Sequence, residues 1–219
     1  MELVKIPIRR SLGDINADIG IGTLIIFIAI ILVAGVTASV MIQTMNSLQQ
    51  QALKTSEETL KDISSGITVT HVSGHVDNSK IAQLAIFISP TAASEDIDLT
   101  YVIISLSDST SKVVLNYTSL CFNNSVSNGL FGTLNSSKLT SSRFGIIVIR
   151  DADGSCTASK PIINDQDLIV LMVNTTKCFS GIEPRVSVSG EIYPEYGIRG
   201  IIGFTTPSSF VNTIVDLQP

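Results

Sequence analysis

Between Asp18 and Lys54 the chain runs through 35 residues, Ile19 to Leu53, without one charged side chain. Within that run Leu24–Ile42 (LIIFIAIILVAGVTASVMI) is apolar almost throughout. As a helix rising about 1.5 Å per residue, 19 residues span about 28 Å, close to the hydrocarbon thickness of a bilayer. Ala29, Leu32, Ala34, Ala38 and Met41 break up the β-branched residues and favour a helix over a strand. Lys5, Arg9 and Arg10 lie upstream. The positive-inside rule therefore leaves the N-terminus in the cytosol and residues beyond about 45 outside.

Past Ile42 the apolar character becomes one-sided. Met41, Met45, Leu48, Ala52, Leu60 and Ile63 recur near the helical period, with Gln43, Asn46, Gln49, Gln50, Lys54, Glu57 and Glu58 opposite. Ser64-Ser65-Gly66 supplies the stop. The pattern predicts one helix over 18–65, about 70 Å long. Its first half needs lipid or other helices, and its second half needs cover along one face.

From Ile67 onward the periodicity is that of strands: 67–76, 81–89, 98–107, 111–117, 144–150, 167–173, 185–193 and 198–206. These segments are rich in Val, Ile and Thr and are separated by turn-forming Asn, Asp, Ser, Gly and Pro. Eight short strands without intervening helices predict an antiparallel β-sandwich over 66–219 and an α+β chain overall. The stretch 119–143 reads as loop. Charged residues are only 15% and mean hydropathy is +0.40, which excludes a disordered chain. The net charge of −5 and the lack of Trp argue against nucleic acid as a partner.

Three fates of the N-terminus compete. A secretory signal would be cut after Val36-Thr37-Ala38, where small residues sit, but its apolar run would begin only after a long polar lead. An uncleaved anchor would hold a monomeric extracellular domain at the membrane. A prepilin-type signal would be cut before the apolar helix. That helix then leaves the membrane only by packing against copies of itself.

The third fate carries a resemblance. Ile19-Gly20-Ile21-Gly22-Thr23-Leu24-Ile25-Ile26-Phe27-Ile28-Ala29, continuing through LVAGVTASVMIQT to LQQQA, resembles the N-terminus of archaeal flagellins, or archaellins. The similarity recurs in Ile63-Ser64-Ser65-Gly66, KIAQLAIFISP at 80–90, DIDLTYVIISLSD at 96–108, EPRVSVSGEIYPEYG at 183–197 and IIGFTTPSS at 201–209. The resemblance implies a type IV pilin-like helix followed by an immunoglobulin-like β-sandwich. The implied protein polymerises with itself, and with other archaellin subunits, into the archaellum filament used for swimming. It has no cofactor and no chemistry of its own. A prepilin-type peptidase trims it, and membrane assembly and motor machinery supplies energy. A membrane-inserted precursor would thus become an extracellular filament. A type IV-like adhesion pilin uses the same helix to display a binding surface and is the alternative.

The family's mature chain has Gly at its third position. Gly20 in that role places the cut between Ala17 and Asp18, making 1–17 the signal peptide. The family usually has a basic residue and Gly before the cut, whereas Asn16-Ala17 stand here. Cleavage between Gly13 and Asp14, after the basic pair Arg9-Arg10, is the alternative. Removing 1–17 takes three basic and two acidic side chains from 14 and 19, leaving a net charge near −6 that suits a soluble filament surface. In the filament core Gly20, Gly22 and Gly35 would admit neighbouring helices closely, with Leu24, Phe27 and Ile30 as packing residues.

Four Asn-x-Ser/Thr sequons, at Asn116, Asn123, Asn135 and Asn174, fall in the extracellular part and none before it. They point to glycosylation, with 116–137 on the outer face. His71-Val-Ser-Gly-His75 has helical zinc spacing in a strand context and reads as strand or turn. Asp151-Ala-Asp153-Gly154 resembles the opening of a calcium loop without the later Glu, so a surface turn is the plainer reading beside a weak metal candidate. Cys156 and Cys178 can pair outside the cell, leaving Cys121 single; buried reduced thiols are the other reading. With two histidines in one segment, no nucleophile–base–acid arrangement emerges and the chain is not expected to be an enzyme.

Overall fold

The computed structural model describes residues 12–92 and 94–219, with side chains from Ile19 onward. Residues 1–11, most of the expected signal peptide, lie outside the described residues. Helix α1 (Leu12–Ser64) is one unbroken element of 53 residues. It begins six residues before the expected start at 18, so both candidate cleavage bonds lie in helical backbone. The run from Ile19 is long and apolar enough to cross a membrane.

After α1 come β1 (Ile67–Asp77), β2 (Lys80–Pro90), β3 (Ile97–Asp98), β4 (Ile103–Ser107), β5 (Lys112–Asn123), β6 (Arg143–Arg150), β7 (Ile162–Ile163), β8 (Leu168–Asn174), a short helix α2 (Thr175–Phe179), β9 (Ser187–Tyr193), β10 (Gly200–Thr205) and β11 (Ile214–Gln218). Nine strands form one sheet in the order β10-β9-β4-β5-β6-β8-β2-β1-β11, while β3 and β7 pair separately. Every pair is antiparallel except β5–β6. The expected long helix followed by an antiparallel β domain is therefore present. Its strands belong to one continuous sheet, and the edges of that sheet meet at Gln218. The Gln218 side chain accepts from Gly203 N at 3.0 Å and donates to Ile201 O at 3.4 Å, bridging edge strands β11 and β10.

The main core lies on one face of the sheet and includes Ile86, Ile104, Leu106, Leu115, Phe144, Ile169 and Leu171. A smaller cluster on the opposite face joins Ala85, Ile147, Val170 and Met172 to Cys121, Leu134 and Leu139. Strands β6 and β8 are thus covered on both faces, which explains their uninterrupted apolar runs FGIIVI and LIVLMV. The supposed loop 119–143 is in part strand: β5 continues to Asn123, with a register shift between Tyr117 and Phe122. That shift obscures the alternation in the sequence. The remainder of the segment delivers Leu134 and Leu139 to the second core.

Candidate assembly surface

From Ile19 to Ser64 every residue of α1 is exposed in the single chain. Fifteen large apolar side chains between Ile19 and Ile42 are exposed. Leu24, Phe27 and Ile30 are 61–64% exposed. Burying each such side chain is worth roughly 1.5–3 kcal/mol, so this stretch alone offers a few tens of kcal/mol to lipid or to neighbouring helices. Its polar atoms suit that fate. Thr37 donates to Val33 O at 2.8 Å, and Thr23 and Thr44 likewise bond carbonyls one turn back, leaving these hydroxyls satisfied within the helix. A Cβ added at Gly20, Gly22 or Gly35 would meet nothing within 4 Å, so their bare backbone is open to a neighbour. Ala17, Asp18, Gly13 and Asp14 lie where side chains are not described.

The C-terminal end of α1 is fastened to the β domain by a joint that sequence patterns did not reveal. Ser65 N donates to Lys61 O at 2.9 Å as the helix closes, and Ser65 O then accepts from Ile198 N at 2.8 Å. Ile67 N returns a bond to Ile198 O at 3.0 Å. Thr91 donates through its hydroxyl to Ser64 O and through its backbone to Gly66 O. Glu95 N donates to the Ser65 hydroxyl, the Tyr196 hydroxyl donates to Asp96 O, and Lys61 meets Glu95 at 2.7 Å. That contact raises the Lys61 ammonium above its ordinary value, through the hydrogen bond first and then the charge of Glu95. Gly197, at φ +93°, lies against the Ser65 carbonyl. The quoted segment EPRVSVSGEIYPEYG contains Tyr196 and Gly197, but nothing in its composition marks them as partners of the helix end.

The four sequon asparagines occupy different settings. Asn116 is exposed on β5, not in a loop. Asn135 is exposed, and its carboxamide oxygen accepts from the backbone and hydroxyl of Ser137. Asn123 is half-buried and accepts from Ser125 N. Asn174 is only 7% exposed; it caps α2 by accepting from Lys177 N and donates to Ser136 O. Its amide nitrogen is thus engaged in the folded chain.

Asp151, Asp153 and Asp167 bring carboxylate oxygens within 4.8 Å of one another. This is the group among the described residues that could hold a cation, and Asp167 was not anticipated. The site is also tied together by its own hydrogen bonds, from Gly154 N and Cys156 N to Asp151 and from Asn164 to Asp153 and Asp167. Those from Asn164 and Ser155 hold the Asp153 carboxyl below its usual range, whereas burial pushes Asp167 up. His71 pairs with Asp216 at 3.2 Å and His75 packs on Phe131, so the two have separate surroundings. Cys156 and Cys178, which the sequence left open as a pair or as reduced thiols, are free thiols, as is Cys121. Burial, followed by the Asp151 charge, pushes Cys156 up to about 12, and burial alone pushes Cys178 up to about 11.

With the apolar helix and its β domain in place, comparison with known proteins is decisive. The chain matches archaeal-type flagellin over residues 17–204. It belongs to that family. Flagellin B2 of Methanocaldococcus jannaschii is 41% identical over 203 residues, covering 91% of this chain and 94% of that protein. Flagellin B1 of Thermoplasma volcanium is 38% identical, covering 94% of each. The crystal structure of archaeal flagellin FlaB1 from M. jannaschii matches with a TM-score of 0.64 at 35% identity, over 70% of this chain and 97% of that one. The archaeal flagellum of Methanospirillum hungatei shares the fold, with a TM-score of 0.64 at 16% identity over 91% of this chain and 99% of that one. As an archaeal flagellin, the chain is a structural subunit of the archaellum filament.

Proposed function

We propose that this flagellin assembles by exchanging lipid for copies of its own helix. The supporting observation is the uncharged run Ile19–Leu53, whose large apolar side chains are all exposed in the single subunit. A precursor holds that run in the membrane with residues 1–17 on the cytosolic side. A prepilin-type peptidase cuts between Ala17 and Asp18, with Gly13–Asp14 as the alternative bond. The mature helix, 18–65, then packs in the filament core, and residues 66–219 form the extracellular shell. Gly20, Gly22 and Gly35 admit close helix neighbours, while Leu24, Phe27 and Ile30 fill the spaces between them. The subunit supplies stiffness and geometry rather than catalysis, and membrane machinery drives assembly and rotation.

Glycans on Asn116, Asn123 and Asn135 fit the same reading, since each is at least partly accessible. Asn174 would take one only before β8 and α2 fold. The direct test is Ile30→Asp in cells lacking other flagellins. An unpaired charge in an apolar core costs several kcal/mol per subunit, so filaments and swimming are expected to vanish while the precursor still accumulates. Normal filaments from that variant would overturn the packing account.

A further inference from the structure

The face of strands β10, β9, β4 and β5 that lies opposite the main core carries a trough of about 420 Å³. Register places the residues in rows. Gly203, Ser189, Ser107 and Lys112 lie side by side, as do Ile201, Glu191, Ser105 and Val114, and then Tyr193, Ile103 and Asn116. Small side chains in the first two rows create the depression. Around it stand Tyr193, the Glu191–Arg199 ion pair at 3.1 Å and an exposed Ile201. In the floor, Ser105 is only 6% exposed.

We infer that this trough is a carbohydrate-docking face, and that its occupant is the glycan carried by Asn116 of the same chain. The inference rests on the glycosylation reading given above. Residues directly opposite in paired strands share a face. Asn116 opposes Ile103, which opposes Tyr193, so the sequon lies in the row next to Ser105. Strands are spaced about 4.8 Å apart, placing Asn116 about 10 Å from Tyr193, within the reach of the first sugars of an N-linked chain. The chemistry is complementary. Sugar C–H faces pack on Ile103, Val114 and the Tyr193 ring, and sugar hydroxyls bond Ser105, Ser189 and the charged rim. Docking would also cover Ile103 and Val114, which stand 40% and 50% exposed on this strand face. It would shield the sheet from lateral association.

The test compares native filaments with filaments of Asn116→Gln and of Asn135→Gln by hydroxyl-radical footprinting, with glycopeptide mapping from the same digests. Loss of the Asn116 glycan is expected to raise oxidation of Tyr193 several-fold, while Asn135→Gln leaves it unchanged. Ser105→Val, with the glycan intact, is expected to raise it partway. An unmodified Asn116 in the native protein overturns both the glycosylation of this sequon and the docking. An occupied Asn116 with Tyr193 equally oxidised in all filaments overturns docking alone.

Discussion

A Cβ placed on Gly197 would stand 2.2 Å from the carbonyl oxygen of Ser65. The contact joins the last turn of the long helix to the turn before β10, and the backbone of residue 197 adopts φ +93° to make it. Ser65 O meanwhile accepts from Ile198 N, so the approach is held by a hydrogen bond as well as by shape.

Gly197→Ala is therefore expected to strain the joint twice, by its left-handed backbone and by direct overlap. The cost should exceed about 2 kcal/mol, visible as a lower midpoint of β-domain unfolding by circular dichroism. Gly203→Ala, where an added Cβ meets nothing within 4 Å, serves as the control and should change little. Equal midpoints for both variants would show that the joint tolerates a side chain.

Asn174 should carry no glycan in filaments, because its carboxamide caps α2 and bonds Ser136 O. Asn174→Ala should lower stability by about 1 kcal/mol, the usual worth of a helix cap. Glycopeptide mapping decides the first point; a fully occupied Asn174 would mean modification before β8 and α2 fold.

The three thiols should resist alkylation at pH 8 in the native protein. Burial raises all three, to about 12 at Cys156 and about 11 at Cys178, so little reactive thiolate is present. Denaturation without reductant should release three titratable thiols. A single released thiol would instead establish a disulfide.

Asp108 sets the pH dependence of the β4–β5 turn. Partial burial acts to raise its carboxyl, but hydrogen bonds from the backbones and hydroxyls of Ser111 and Thr110 prevail and lower it. A carboxyl lowered on folding contributes stability that is complete above its unfolded value and is lost as pH falls through the folded one. Asp108→Asn should accordingly lower the melting midpoint at pH 7, by about 2–4 °C if net hydrogen-bond strength near 1 kcal/mol is lost. The difference from the parent should shrink toward pH 2. A difference that grows on acidification would contradict the assignment.

Much of this architecture is legible in the residues themselves. The uncharged run from Ile19 and the Ser64-Ser65-Gly66 stop define α1 to within one residue at its C-terminal end, because composition alone decides where a helix can lie in lipid. The Val- and Ile-rich alternations locate the eight principal strands. Less visible are features made by distant partners. Strands β3 and β7 are two residues each and exist through pairing. Strand β11 is held by β1 and by the Gln218 side chain. The joint depends on Thr91, Glu95 and Tyr196, which lie 25 or more residues from the helix end, so no local period encodes it. Asp167 joins Asp151 and Asp153 only because β8 returns beside β6.

The central claim is that the apolar helix stays on the mature subunit and is buried by assembly. The N-terminal sequence and intact mass of protein sheared from cells as filaments test it most directly. The account predicts a chain starting at Asp18, or at Asp14, with Ile19–Leu53 retained. A chain starting at Ser39, without that helix, would contradict it.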